Sequence, residues 1–188
     1  MKALVLSAAL AAAAASAIII PLSSAAAAVM TVGGPLSIIC YQSARSGDGR
    51  SSAVDGCTRA LQEEALSASD RAATHVNRGI VFMSAGRYSE ADSDFDAALR
   101  LNATLADGWL NKGFLRLRLG KGRDALPLIQ RGIDAGAERQ ALAIFARGVA
   151  REQMGEFRAA YADLRLAQQL EPDWKLPRQY LASYQVRR

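Results

Sequence analysis

The sequence predicts an all-helical fold built from repeated helix pairs, and three observations carry that expectation. The residue pattern restarts at Ala72, Ala106 and Ala141, offsets of 34 and then 35 residues. Within each stretch, apolar residues fall at helical spacing on both sides of a glycine, as with Val76, Ile80 and Met83 and then Ala91, Phe95 and Ala98. Small residues also recur at fixed places: Gly79, Gly113 and Gly148, and again Ala91, Ala125 and Ala160. With 188 residues, 51% of them hydrophobic, the chain suits one compact domain.

Taken from its start, the chain opens with Lys2 and carries no further charge until Arg45. Residues 3–22 are rich in Ala, Leu, Val and Ile, and small residues follow at 23–28. A short positive start, an apolar run and then an A-x-A-like site is the order of a secretory signal, so residues 1–28 are read as a signal peptide cleaved near Ala27 or Ala28. This predicts a periplasmic protein with a mature net charge of +4 after loss of Lys2 from the formal +5. The alternative is an inner-membrane anchor, since the uncharged stretch exceeds the roughly 20 residues that span a bilayer. Pro21 and the Ser23–Ser24 pair interrupt that run where a cleaved signal turns polar. Cys40 follows Ile38 and Ile39, whereas a lipidation signal needs a small residue before its cysteine.

Residues 37–70 form a degenerate initial unit, in which Ala53, Cys57, Ala60 and Leu61 echo later repeat positions. Its loop, residues 43–52, is polar and contains glycine. Cys40 and Cys57 are the only cysteines, with sixteen residues between them. In an exported protein an even count reads first as a disulfide. A thiol oxidoreductase would want C-x-x-C, and zinc would want four ligands, yet the chain's single histidine is His75.

Three repeats follow within residues 71–174, at 72–105, 106–140 and 141–174. Their eighth-position glycines and twentieth-position alanines have the smallest side chains, which lets paired helices approach closely. The glycines at the fifteenth position, Gly86, Gly120 and Gly155, fall where the first helix must stop. Position 24 is bulky (Phe95, Ile129, Leu164) and position 27 is small (Ala98, Gly132, Ala167). These matches resemble the tetratricopeptide repeat (TPR). The resemblance departs from the family at position 11, where a Tyr is usual, with Phe82, Arg116 and Arg151. The family's proline near the repeat end occurs once, as Pro172. Residues 175–188 are read as a capping helix, with Tyr180, Leu181 and Tyr184 on one side, because a stack of such pairs must be shielded at its end.

The resemblance implies a helix-turn-helix solenoid whose first helices form a concave face that binds a peptide or a partner helix. By repeat position that face would present Val76, Asn77, Ile80 and Met83, then Leu110, Asn111, Phe114 and Leu117, then Phe145 and Val149. Phe114 and Phe145 are the expected principal contacts, since exposed aromatics concentrate binding energy. Some relatives grip a terminal carboxylate with Lys, Asn and Arg. Here Asn111 matches, but Val76, Ile80, Leu142 and Ala146 stand in the other places, so that clamp is absent.

Catalysis is not expected, because the sequence offers no nucleophile with its base, no glycine-rich phosphate loop and no metal-ligand cluster. No cofactor or metal is expected. The pI of 9.6 raises nucleic-acid binding, but 23 basic and 18 acidic residues are interleaved and no basic run exceeds two. The expected function is a protein–protein interaction scaffold of the bacterial envelope, contacting a membrane only through an uncleaved leader.

Overall fold

The computed structural model of the chain describes residues 5–8, 27–31 and 33–187. Most of the expected export signal therefore lies outside the described residues. Among the described residues four helix pairs succeed one another: α1 (Pro35–Ser46) with α2 (Ser51–Glu63), α3 (Ala68–Ser84) with α4 (Tyr88–Leu101), α5 (Ala106–Arg118) with α6 (Gly122–Asp134), and α7 (Gln140–Gln153) with α8 (Phe157–Leu170). A short α9 (Lys175–Leu181) packs on α8. The strand β1 (Val5–Ala8) pairs antiparallel with β2 (Tyr184–Arg187), Val5 opposite Arg187.

Sequence accounts for where the helices stop. In the three repeats the first helix ends with Gly86, Gly120 or Gly155 at φ of 75°, 70° and 78°. A residue with a Cβ is strained in that left-handed region. Each turn closes with the same pair of backbone bonds: Gly86 N–H to the Met83 carbonyl and Arg87 N–H to the Phe82 carbonyl in the first, with equivalents from Gly120 and Lys121 and from Gly155 and Glu156. These satisfy carbonyls that the helix end would otherwise leave orphaned. At the start of α3, the Ser67 hydroxyl accepts from the Asp70 N–H at 3.1 Å, so the helix begins ahead of the repeat start at Ala72.

Small residues lie where the helices of a pair approach one another. A Cβ placed on Gly79 would lie 2.5 Å from the Phe95 ring, and one on Gly113 would lie 2.6 Å from Ile129. Ala91, Ala125 and Ala160 are fully buried between the helices of their pairs. At Gly148 the approach is looser, with the Asp163 Cβ at 3.2 Å. Gly79→Ala should therefore destabilise the fold by about 1–2 kcal/mol, because overpacking against a buried ring outweighs the gain in helix propensity. Thermal melting followed by circular dichroism would check this, with Gly148→Ala expected to cost less.

The first unit is pinned differently. α1 buries only Ser37, Cys40 and Ala44, all small. Cys40 and Cys57 are disulfide-bonded and fully buried, joining α1 to α2. The Glu64 carboxylate, just past the end of α2, accepts from the N–H groups of Leu36 at 2.6 Å and Ser37 at 3.1 Å at the start of α1. One side-chain cap thus fastens the start and one disulfide the middle of a helix that has little apolar surface to bury.

The C-terminal segment departs from expectation. The helix expected over residues 175–188 ends at Leu181, and Tyr184–Arg187 is extended because its backbone pairs with β1. The shortened helix still covers the last repeat. Trp174, beside its start, and Tyr180 pack edge-on against Phe145, with ring centroids 5.0 and 4.9 Å away.

Candidate peptide-binding face

The first helices α3, α5 and α7 lie side by side. The apolar residues expected on their concave side prove to be packing residues. Val76, Ile80 and Met83 are buried in the cluster that includes Cys40, Cys57 and Phe95. Leu110, Phe114, Leu117, Phe145 and Val149 are buried in a second cluster with Ile129 and Leu164. Phe145 in particular is not offered to a ligand, since Trp174 and Tyr180 cover it. The expectation that Phe114 and Phe145 are principal contacts is corrected: in a stack this short, side chains at those positions are needed to fill the space between helices.

Asn77 and Asn111 behave differently. Both are fully buried and occupy the same place in successive repeats, while the third repeat has Ala146 there. Against them runs the chain's own segment 27–31, which is neither helix nor strand. The Asn77 carboxamide grips one residue twice: its Oδ1 accepts from the Val29 N–H at 2.9 Å and its Nδ2 donates to the Val29 carbonyl at 2.7 Å. The Asn111 Nδ2 donates to the Ala27 carbonyl at 3.1 Å and to the Asp107 carbonyl of its own helix at 2.8 Å. Alternate residues of an extended chain present their polar groups in the same direction, so one asparagine per repeat meets residues 27 and 29. All three bonds to the segment use backbone atoms of the bound residues, so this grip does not depend on their side chains.

The first bound residue borders a cleft of about 300 Å³. Ala27 and Ala28 form one side, Tyr41 and Arg45 of α1 another, and Asp107, Glu138 and Arg139 the rest. Burial pushes the Asp107 carboxyl up to about 6, with the charge of Glu138 adding to the rise and Arg139 opposing it. The Asn111 Oδ1 is buried at this end without a hydrogen-bond donor among the described residues. At Asn77 the same atom is satisfied by Val29.

Sequence reasoning missed a second recurring constellation. Asp94 in α4 accepts from Arg78 at 2.7 and 2.8 Å and contacts His75 Nδ1 at 2.9 Å. Two repeats on, Asp163 in α8 accepts from Arg147 at 3.0 and 2.8 Å and from Arg151 at 2.7 Å. Both aspartates are almost fully buried, at 4% and 3% exposure. The signal was present as Arg at position 7 and Asp at position 23 of the first and third repeats. In the second repeat Leu128 replaces the aspartate, and Lys112 instead pairs back with Asp92 and Asp96 of α4. The Asp94 and Asp163 groups each join the two helices of a pair, a structural role.

Among the described residues no group of His, Cys, Asp and Glu is placed to hold a metal ion. No described helix is long and apolar enough to cross a membrane.

No family model and no curated protein sequence matches the chain. Solved structures do. The TPR domain of Arabidopsis OM64 superposes with a TM-score of 0.57 at 22% identity, over 62% of this chain and 95% of that one. The first TPR domain of human RPAP3 gives 0.56 at 20% identity, over 59% and 87%. The structure of MamA residues 41 to the end, from Desulfovibrio magneticus RS-1, gives 0.61 at 19% identity, over 79% and 82%. With repeated hairpins, left-handed glycine turns and small residues at the helix crossings, the chain has the helical-solenoid fold of tetratricopeptide-repeat domains.

Proposed function

We propose that this chain is a non-catalytic interaction module of the bacterial envelope whose concave face takes an extended peptide segment of a protein partner by its backbone. The observation that carries this reading is the double hydrogen bond of Asn77 to Val29, continued by Asn111 to Ala27. Buried carboxamides that hold an extended chain by N–H and carbonyl groups can hold another chain of small residues in the same way. The disulfide supports export, because such bonds persist in oxidising compartments. The small-residue stretch at 23–28 supports a cleaved leader.

The test uses a chain beginning at Gly33, which leaves the groove without its own segment, and a fluorescent peptide carrying residues 25–33 as probe. The probe should bind saturably, and Asn77→Ala should weaken it about thirtyfold, as expected for two lost hydrogen bonds of roughly 1 kcal/mol each. Helicity should be unchanged. Binding unaffected by Asn77→Ala, or no binding at all, would remove the concave face as the site.

A further inference from the structure

The segment on the concave face lies where the leader is expected to be cut. Its first described residue, Ala27, is only 4% exposed and has its carbonyl fixed by Asn111. Cleavage after Ala26, two residues ahead of the expected boundary at residue 28, would satisfy the small-residue rule, with Ser24 and Ala26 at the third and first positions before the cut. It would convert the Ala27 amide into an α-ammonium at the edge of the cleft that Ala27 lines.

That cleft is suited to a primary ammonium. Two of its side chains are carboxylates, Asp107 and Glu138. Burial and their mutual repulsion hold the Asp107 carboxyl above its ordinary range even though Arg139 counters it, so its negative charge is under-compensated. A bound anion would face both carboxylates, whereas a cation relieves them. A second observation is independent of charge. The Asn111 Oδ1 is fully buried and lacks a donor among the described residues, although the same amide already holds the Ala27 carbonyl. A planar amide N–H at Ala27 points one way only, while an ammonium carries three donors that rotate.

We propose that processing makes Ala27 the N-terminus and that its α-ammonium is bound by Asp107 and Glu138 beside Asn111, so that the mature chain's own first residues are a tethered ligand of the concave face. This rests on the groove reading above. The ligand class is a peptide N-terminus beginning with a small residue like the buried Ala27 whose place it takes. A partner segment must displace the tail or supply a free N-terminus of the same kind. Ammonium and carboxylate reinforce each other, so the bound amine titrates high and Asp107 titrates low once they meet. The other groups facing the cleft are Tyr41 of α1 and two arginines, Arg45 and Arg139, and the positive charges of the arginines limit the shift.

The experiment exports the full chain, leader included, from a bacterial host and determines the mass of the purified product. The α-amine is then titrated through its pH-dependent acetylation, read on the N-terminal peptide, while hydrogen exchange reports the Val29 amide. The expected product begins at Ala27, and its amine titrates about one unit above the ordinary value of roughly 8 for an α-amino group. In Asp107→Asn, and more weakly in Glu138→Gln, the amine returns toward that value while Val29 stays protected and helicity is retained. A product that keeps Met1 or begins elsewhere overturns the proposal. So does an ordinary amine, or a raised one indifferent to Asp107→Asn, with Val29 still protected; in those cases the groove reading stands. Loss of Val29 protection in the unmutated product overturns both.

Discussion

Asp163→Ala is expected to lower stability by about 3 kcal/mol, seen as a reduced melting temperature and an earlier urea midpoint. Asp163 is buried at 3% exposure and receives three hydrogen bonds, two from Arg147 and one from Arg151. Removing the carboxylate leaves two guanidiniums facing one another in a partly desolvated space, and an orphaned buried charge costs about 3–5 kcal/mol. Their side chains retain 19% and 27% exposure, which places the effect at the lower end. The penalty comes from unpaired charge rather than from loss of a favourable bond. Combining Asp163→Leu with Arg147→Met and Arg151→Met should therefore recover most of it. A triple variant as unstable as Asp163→Ala would show that the ion pairs themselves hold α7 to α8.

The matching group at Asp94 adds a pH dependence whose sign can be worked out. Burial alone would raise the Asp94 carboxyl, but hydrogen bonds from Arg78 and His75 outweigh it and the net direction is down. A carboxylate held below its unfolded value stabilises the folded state at all pH above that value, about 3.9. The contribution is then lost as the pH falls through the lower folded value. Stability should therefore drop below about pH 4, and Asp94→Asn should flatten that part of the curve while lowering the plateau.

How much of this could be seen in advance depends on what each feature repeats. The hairpins were legible because close helix packing constrains residue size at fixed intervals: Gly79 and Gly113 sit against Phe95 and Ile129, and the turn glycines have the backbone angles their positions implied. The residues expected on the concave side by register are buried, since periodicity cannot tell a groove from the core when a stack has few units. The Arg–Asp pairs span two helices at a separation of sixteen residues, which no local helical period reveals; only comparison of the first and third repeats exposes them. Least legible was the segment at 27–31. Its composition marks it as a processing site, and nothing in a run of alanines announces that its carbonyls meet asparagines 48 and 84 residues away. The end of α9 was also hidden, because residues 184–187 find their strand partner at the other end of the chain.

Changing both Cys40 and Cys57 to Ala is expected to cost about 3 kcal/mol, the chain-entropy value for closing a loop with a sequence separation of 17. The loss should concentrate in the first unit. α1 buries Ser37, Cys40 and Ala44, while Ile38 and Ile39 are 43% and 48% exposed, so its packing alone supplies little hydrophobic stabilisation. Without the disulfide, its remaining fixed points include the Glu64 cap, which is part of the same unit. The repeats from α3 onward have their own buried aromatic and aliphatic residues and should keep their exchange protection, because a repeat array is stabilised mainly between neighbours. α1 also supplies Tyr41 and Arg45 to the cleft beside Ala27. Fraying of α1 should therefore loosen the bound segment, and the Val29 amide should exchange faster in the double variant even where Asn77 is intact. Hydrogen exchange resolved by segment would separate this from global unfolding: uniform loss of protection through α8 would mean that the first unit and the repeats fold as one, and that the disulfide stabilises the whole array.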